Sequence, residues 1–372
     1  MVYLYNMEAS KPNKIKDYYI AYFDILGYRK FFENNPDKAE EFLSMIHSVV
    51  NKTMDSFIPL PDISFLKDIF NYEIEIKIFS DNFLICMEVK NHRFEKARIA
   101  AFLMTLSNIQ RGFVNEYGLF VRGGICIGQI SFNKDFVFGE GIIKVVEMEE
   151  KANYPRIVVE PSLIDKAVKL SFVSEGDTER GIQIEKLLSD SPAVVSNDER
   201  KEYFNIRSLL KMNFFIDKIL SELFYRYYDG VVALSYMANI NFVSLMNSKD
   251  ISCFIELLKS KIPLQDDFSN LKLRNYILED GFELHRNRII EKINEHGSYD
   301  WNESYEDSLK REKVLKKYVY SMKYHNDMCD KYSVPQYFIN SEANVDAKYM
   351  LLTVRDVELT ESEIISDKKI NY

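Results

Sequence analysis

Apolar and polar positions follow two different periods along the first 165 residues, and each period predicts an element. Tyr18-Tyr19-Ile20-Ala21-Tyr22-Phe23 is an unbroken apolar run that ends on Asp24-Ile25-Leu26-Gly27, the pattern of a buried strand closed by a turn. Residues 36–57 carry Phe42, Met45, Ile46, Val49 and Val50 at helical spacing. Ile74, Ile76 and Ile78 alternate with Glu73, Glu75 and Lys77. Ser80-Asp81-Asn82 then breaks the run, and Phe83-Leu84-Ile85-Cys86-Met87 returns, which reads as a hairpin. A second helix is predicted over 94–117, a strand at 119–121 that reaches Arg122-Gly123-Gly124 and continues through 125–130, and a helix over 138–151 entered through Gly139 and Gly141. The order β-α-β-β-α-β is that of a ferredoxin-like palm, an α+β fold.

The later part carries weaker patterns. Residues 175–200 are polar and read as loops and short strands, 209–227 as a helix, and 229–237 (DGVVALSYM) as a buried strand. Residues 303–332 predict a long amphipathic helix with Leu309, Val314, Leu315, Tyr318 and Met322, and a strand-like run follows Asp346. We therefore expect a palm over residues 15–165 and a mostly helical α/β extension over 166–372 packed on it.

Composition narrows the function. Of 372 residues 47% are apolar and 14% aromatic, ample for a packed core, and 13 Gly and 9 Pro exclude a linker-like chain. With 48 Lys and Arg against 57 Asp and Glu, the net charge is −9, which gives the surface as a whole no attraction for long nucleic acids or anionic membranes. A small anionic substrate stays possible, because a bound metal reverses the local field. The four cysteines form no CxxC pair, Cys86 and Cys126 lie in apolar runs, and the N-terminus shows no signal-peptide pattern. The expectation is a cytoplasmic protein without a transmembrane helix.

Asp24 closes an apolar strand and Asp81 tips an apolar hairpin. In a βαββ palm those strands are neighbours, so both carboxylates fall at one sheet edge. Like charges so placed call for a divalent cation, and two such ions about 3.5–4 Å apart suit phosphoryl transfer. Either Asp taken alone is more often a strand-ending turn residue. His47, His325 and Asn326 read as packing or capping contacts, Gly139-x-Gly141 as too short for a phosphate loop, and Lys310 to Lys317 as a solvated face.

Three motifs carry a resemblance. Tyr22-Phe23-Asp24-Ile25-Leu26-Gly27-Tyr28 resembles the first metal motif of class III nucleotide cyclases, Lys77-Ile78-Phe79-Ser80-Asp81 the second, and Arg122-Gly123-Gly124-Ile125-Cys126-Ile127-Gly128 the strand that follows. The chain more closely resembles the pyrimidine cyclases of bacterial Pycsar anti-phage systems. Phe138-Gly139, Met148-Glu149, Ala152-Asn153-Tyr154-Pro155-Arg156-Ile157, Asp229-Gly230, Lys317-Tyr318 and Tyr324-His325-Asn326 extend that likeness along the chain.

The resemblance implies a palm catalytic domain over 15–165 that converts UTP, or CTP, to the 3′,5′-cyclic monophosphate plus pyrophosphate. It implies two divalent cations, Mn²⁺ or Mg²⁺, held by Asp24, Asp81 and the Ile25 carbonyl. Leu26, Gly27 and Tyr28 would cradle phosphates, and Lys77, Arg122 and Arg156 would bind substrate. It further implies a homodimer, with Val145, Val146 and Met148 on an apolar helix, and a separate cyclic-nucleotide-gated effector. Val146 stands where that group has Tyr. Phe136, Ile143 and Glu147 stand where adenylate cyclases have the Asp, Asn and Arg that read adenine and stabilise charge, so purine reading is disfavoured and pyrimidine reading permitted. The alternatives are a purine cyclase, for which Lys77 speaks, and a non-catalytic nucleotide sensor of the same fold.

Overall fold

Strand β1, Lys16–Leu26, is paired along both edges and organises the sheet. The structure is a computed structural model that describes residues 14–38, 40–41, 44, 74–79, 81–90, 93–132, 136–227, 229–237, 279–297 and 304–339. Within these, β1 leads into helix α1, Tyr28–Asn34; β2, Ile74–Phe79, and β3, Asn82–Glu88, form the hairpin; and α2 spans Glu95–Tyr117. There follow β4, Phe120–Phe132; β5, Val137–Phe138; α3, Glu140–Lys151; β6, Ile157–Val159; and α4, Pro161–Lys169. The later elements are α5, Glu175–Asp190; α6, Asn197–Leu223; β7, Phe224–Arg226; β8, Val232–Leu234; α7, Glu279–Gly297; and α8, Tyr305–Lys331.

The 8-stranded sheet runs β2-β3-β1-β4-β6-β8-β7, with β5 paired to β4. Its first four strands are antiparallel neighbours in the order of a split βαββαβ palm, so the fold is that palm with a largely helical extension. The extension enters the same sheet, because β8 pairs with β6 at Val158↔Ala233 and β7 pairs with β8.

Period-two alternation sends β1 side chains to two cores. Tyr19, Ala21, Phe23 and Ile25 pack with Ile99, Phe102, Leu106 and Phe113 of α2, while Tyr18 and Ile20 pack with Leu84, Cys86, Cys126 and Val145 of α3. Helix α3 sits close on β4, where a Cβ on Gly128 would fall 2.5 Å from the Cα of Gly141. Only paired glycines permit that approach. A third core joins Phe120 of β4 to Tyr227, Tyr236, Ile289, Tyr318 and Met322 of the extension.

Residues 175–190 and 197–200, expected as loops and short strands, are helical instead, and α6 starts well before residue 209. The reason is capping. The Ser174 hydroxyl accepts from the Asp177 N–H and the Ser196 hydroxyl from the Glu199 N–H, and each acid returns a bond to its serine N–H. These S-x-x-D and S-x-x-E signatures outweigh the polar composition. The expected 229–237 strand shortens to β8, whereas the long late helix is found as α8. Most of the helix expected over 36–57, His47, and the run after Asp346 lie outside the described residues. The three described cysteines are free and buried, and among the described residues no helix is long and apolar enough to cross a membrane.

A buried chain of hydrogen bonds holds α7 to α8. His325 Nε2–H donates to the Tyr337 carbonyl at 2.9 Å, which leaves Nδ1 of His325 to accept from Nδ1–H of His285 at 2.9 Å, and His285 Nε2 to accept from the Tyr236 hydroxyl at 2.9 Å. The carbonyl admits only that neutral tautomer order. Burial pushes the His285 pKa well below the ordinary histidine value and that of His325 down to about 4. An unfolded histidine titrates near 6.5, so below that pH unfolding takes up protons and stability falls. The melting temperature should therefore drop as pH falls from 6.5 toward 4, and His325→Gln should flatten that slope in a thermal-shift series; an unchanged slope would refute the assignment.

Candidate active site

Asp24 lies near the C-terminal end of β1 on the face that α3 covers, with Asn82 of β3 opposite it on one side and Arg122 of β4 on the other. Asp81 belongs to the turn between β2 and β3. Its carbonyl accepts the Ile25 N–H at 3.0 Å, and its Oδ1 accepts from Asn82 Nδ2 at 3.0 Å. The palm thus brings both predicted aspartates to one edge. Burial raises the Asp24 pKa, and the Asp81 charge raises it further; Arg122, Lys317 and a backbone hydrogen bond from Ile25 act in the opposite direction.

Arg122 is positioned by α3. Its Nε donates to Glu149 Oε1 at 2.5 Å, its Nη2 lies 2.5 Å from the same oxygen, and Nη2 stands 3.9 Å from Asp24 Oδ2. Glu149 is buried, which raises its pKa, while Arg122 pulls it back. Three carboxylates, those of Asp24, Asp81 and Glu149, therefore face two cations, Arg122 and Lys317, at this edge. Among the described residues no group of three or more His, Cys, Asp or Glu is arranged to hold a metal. Two mutually repelling carboxylates with a peptide carbonyl nearby are a hard oxygen donor set, and that chemistry fits Mg²⁺ or Mn²⁺.

The turn after Asp24 is built on Gly27, whose φ of 81° lies in the left-handed region and whose absent side chain leaves open space. Leu26 and Gly27 line a cavity of about 540 Å³ between α1, α7 and α8, and Tyr28 begins α1. Lys77, on β2, holds its ammonium 5.6 Å from the Phe132 ring centroid. Arg156 stands in a different cluster. Its guanidinium is bidentate to Asp229 at 3.0 and 2.6 Å, donates to the Tyr320 hydroxyl at 2.5 Å and the Ala152 carbonyl at 3.1 Å, and stacks among Tyr154, Tyr227 and Tyr320. With 2% exposure, it ties palm to extension. Phe136 and Ile143 are exposed, and Glu147 pairs with Lys151 at 3.6 Å. Val145 turns inward to the β1 core, so it offers no surface to a partner.

Sequence pattern alone assigns no role to Glu149 and places Lys317 on a solvated face. The structure half-buries Lys317 within electrostatic reach of Asp24, Glu149 and Arg122, and burial followed by the Arg122 charge lowers its pKa. Its only early signal was the Lys317-Tyr318 likeness quoted above.

Fold and site together define an α+β palm with a paired-carboxylate edge. No protein-family model matches the chain, and no curated protein matches it. Solved structures similar to it include the adenylyl cyclase CyaB from P. aeruginosa, at 14% identity and a TM-score of 0.29 over 42% of this chain and 82% of that one. The guanylyl cyclase Cya2 shows 12% identity and a TM-score of 0.28 over 42% and 80%, respectively. A class III adenylyl cyclase-like ATP-binding protein from Pseudomonas aeruginosa shows 9% and 0.27 over 48% and 38%. Likeness this distant carries no activity across, and the palm assignment rests on the strand order.

An ionised Asp24 is disfavoured where it stands, so at neutral pH its charge costs stability in the metal-free protein. Asp24→Asn should raise the metal-free melting temperature by a few degrees, about 1 kcal/mol, and abolish any further rise on adding Mn²⁺. A variant that melts lower than the parent, or still responds to Mn²⁺, would contradict this account.

Proposed function

We propose that the chain is a metal-dependent nucleotidyl cyclase acting on a pyrimidine nucleoside triphosphate, UTP ahead of CTP. The observation that supports it most is the convergence of Asp24 and Asp81 at one palm edge, with Asp81 raising the Asp24 pKa and its carbonyl bonded to Ile25. The motif likeness supplies the substrate class, and the exposed Phe136, at the position of the Asp that reads adenine in adenylate cyclases, disfavours the purine and leaves the pyrimidine permitted.

In this reading Asp24, Asp81 and the Ile25 carbonyl would hold two divalent cations, Mn²⁺ or Mg²⁺, and such ions would supply a lowered pKa for the ribose 3′-hydroxyl and positive charge against the polyphosphate. The 3′-oxygen attacks the α-phosphorus in line, its proton passes to solvent, and the bond to the β-phosphate oxygen breaks to release pyrophosphate. Arg122, oriented by Glu149, places positive charge beside Asp24 where the α-phosphate carries it. Leu26 to Tyr28 bound the phosphate end and Lys77 the opposite side. Arg156 acts by fixing the extension rather than by touching substrate. Two copies pair through the exposed Phe136, Phe138 and Ile143, and the cyclic product works as an anti-phage messenger on a separate effector.

Incubation of the protein with each of the four nucleoside triphosphates and Mn²⁺, with products resolved by mass, tests this directly. Cyclic UMP or cyclic CMP should dominate, and Asp81→Ala should cut turnover by roughly a hundredfold or more while leaving the melting transition cooperative. Dominant cyclic AMP or GMP overturns the pyrimidine assignment. Nucleotide binding without turnover points to a sensor and overturns the enzyme.

A further inference from the structure

Helix α8 belongs to the extension, yet it delivers a lysine to the palm. Lys317 lines the cavity of about 540 Å³ together with Leu26 and Gly27, the residues that follow Asp24. Its placement is enforced one turn along the helix, where Tyr320 accepts from Arg156 at 2.5 Å and stacks on Tyr154 at 3.9 Å between ring centroids. Arg156 is itself clamped by Asp229, and its carbonyl accepts the Gly123 N–H at 3.0 Å, next to Arg122. Lys317 is thus registered to the acidic edge through a rigid, buried connection.

Two other cations of the cavity wall are matched by neighbouring carboxylates. Arg288 pairs with Glu291 at 3.1 Å and Lys292 with Glu295 at 2.8 Å, each along its own helix. Among the described residues the Lys317 ammonium makes no ion pair or hydrogen bond, although it is half-buried and stands near the guanidinium of Arg122. Holding a cation there with only the more distant charges of Asp24 and Glu149 to offset it costs stability, and an incoming polyanion would remove the cost.

We propose that Lys317 binds a terminal phosphate of a polyphosphate ligand, a nucleoside triphosphate or free pyrophosphate, so that the extension supplies part of the phosphate site. This rests on the cyclase reading for its substrate class. Asp24 and Asp81 lie on one side of the Gly27 turn and Lys317 faces its cavity side, so the polyphosphate spans the turn, with its α-phosphate at the carboxylate edge and its far end at the lysine.

The probe is inorganic pyrophosphate, titrated by calorimetry into the full chain with Mg²⁺ at several salt concentrations. Lys317→Met should weaken binding by about tenfold or more and flatten the salt dependence, while Lys317→Arg should stay within about threefold of the parent. A packing role would not produce that charge-specific rescue. Should Lys317→Met melt lower, Lys317→Gln, which keeps a polar stem, replaces it in the same comparison. Equal affinity in the charge-free variant, or no pyrophosphate binding by the parent chain, overturns the proposal. The two readings fail separately. Lysine-dependent pyrophosphate binding without turnover of any nucleoside triphosphate removes the cyclase and leaves this site, and turnover with undiminished affinity in the variant does the reverse.

Discussion

The register of β1 is the constraint on which the site depends. The strand is hydrogen-bonded to β3 on one side and β4 on the other, and both of its faces are packed. A slip of one residue would turn Tyr19, Ala21, Phe23 and Ile25 out of the α2 core and drive Asp24 into it. Ionised and unpaired there, that carboxylate would cost several kcal/mol, so the apolar pattern that stabilises the sheet also fixes where the acid emerges. Asn82 and Arg122 take their places opposite Asp24 for the same reason.

The acidic edge is held under electrostatic tension, with burial and the second aspartate both opposing ionisation of Asp24. Natural folds tolerate such a cost where a ligand relieves it. The compensating cations are themselves constrained. Arg122 is oriented by the buried Glu149 on α3, whose close seat on β4 depends on Gly128 and Gly141, and Lys317 is carried by a helix that Arg156 pins to the palm. Arginine therefore serves two ends in this molecule. One guanidinium faces the acidic edge, and the other, bidentate and ringed by tyrosines, joins palm to extension.

That second junction changes how the chain is divided. Strands β7 and β8 continue the palm sheet, and Phe120 shares a core with Tyr318 and Met322. An extension that shares sheet and core with the palm transmits displacement to the Gly27 turn more directly than an appended module would. The buried histidine pair joins α7 to α8 within this shared region.

Local patterns in the sequence determined the palm. The apolar run ending at Asp24, the alternation from Ile74, the break at Asp81 and the glycines after Arg122 each state an element and its end within a few residues. Capping boxes at Ser174 and Ser196 were equally legible, but their polar surroundings masked them. What no local pattern could decide was which distant charges meet. Arg156 and Arg122 look alike in sequence, yet one pairs with Asp229, 73 positions away, and the other with Glu149, 27 positions away. Lys317 reads as one more polar position on an amphipathic helix. Its arrival beside Asp24 follows from the packing of α8 on β4, and long-range packing is set by the fit of whole surfaces rather than by the residues flanking any one of them.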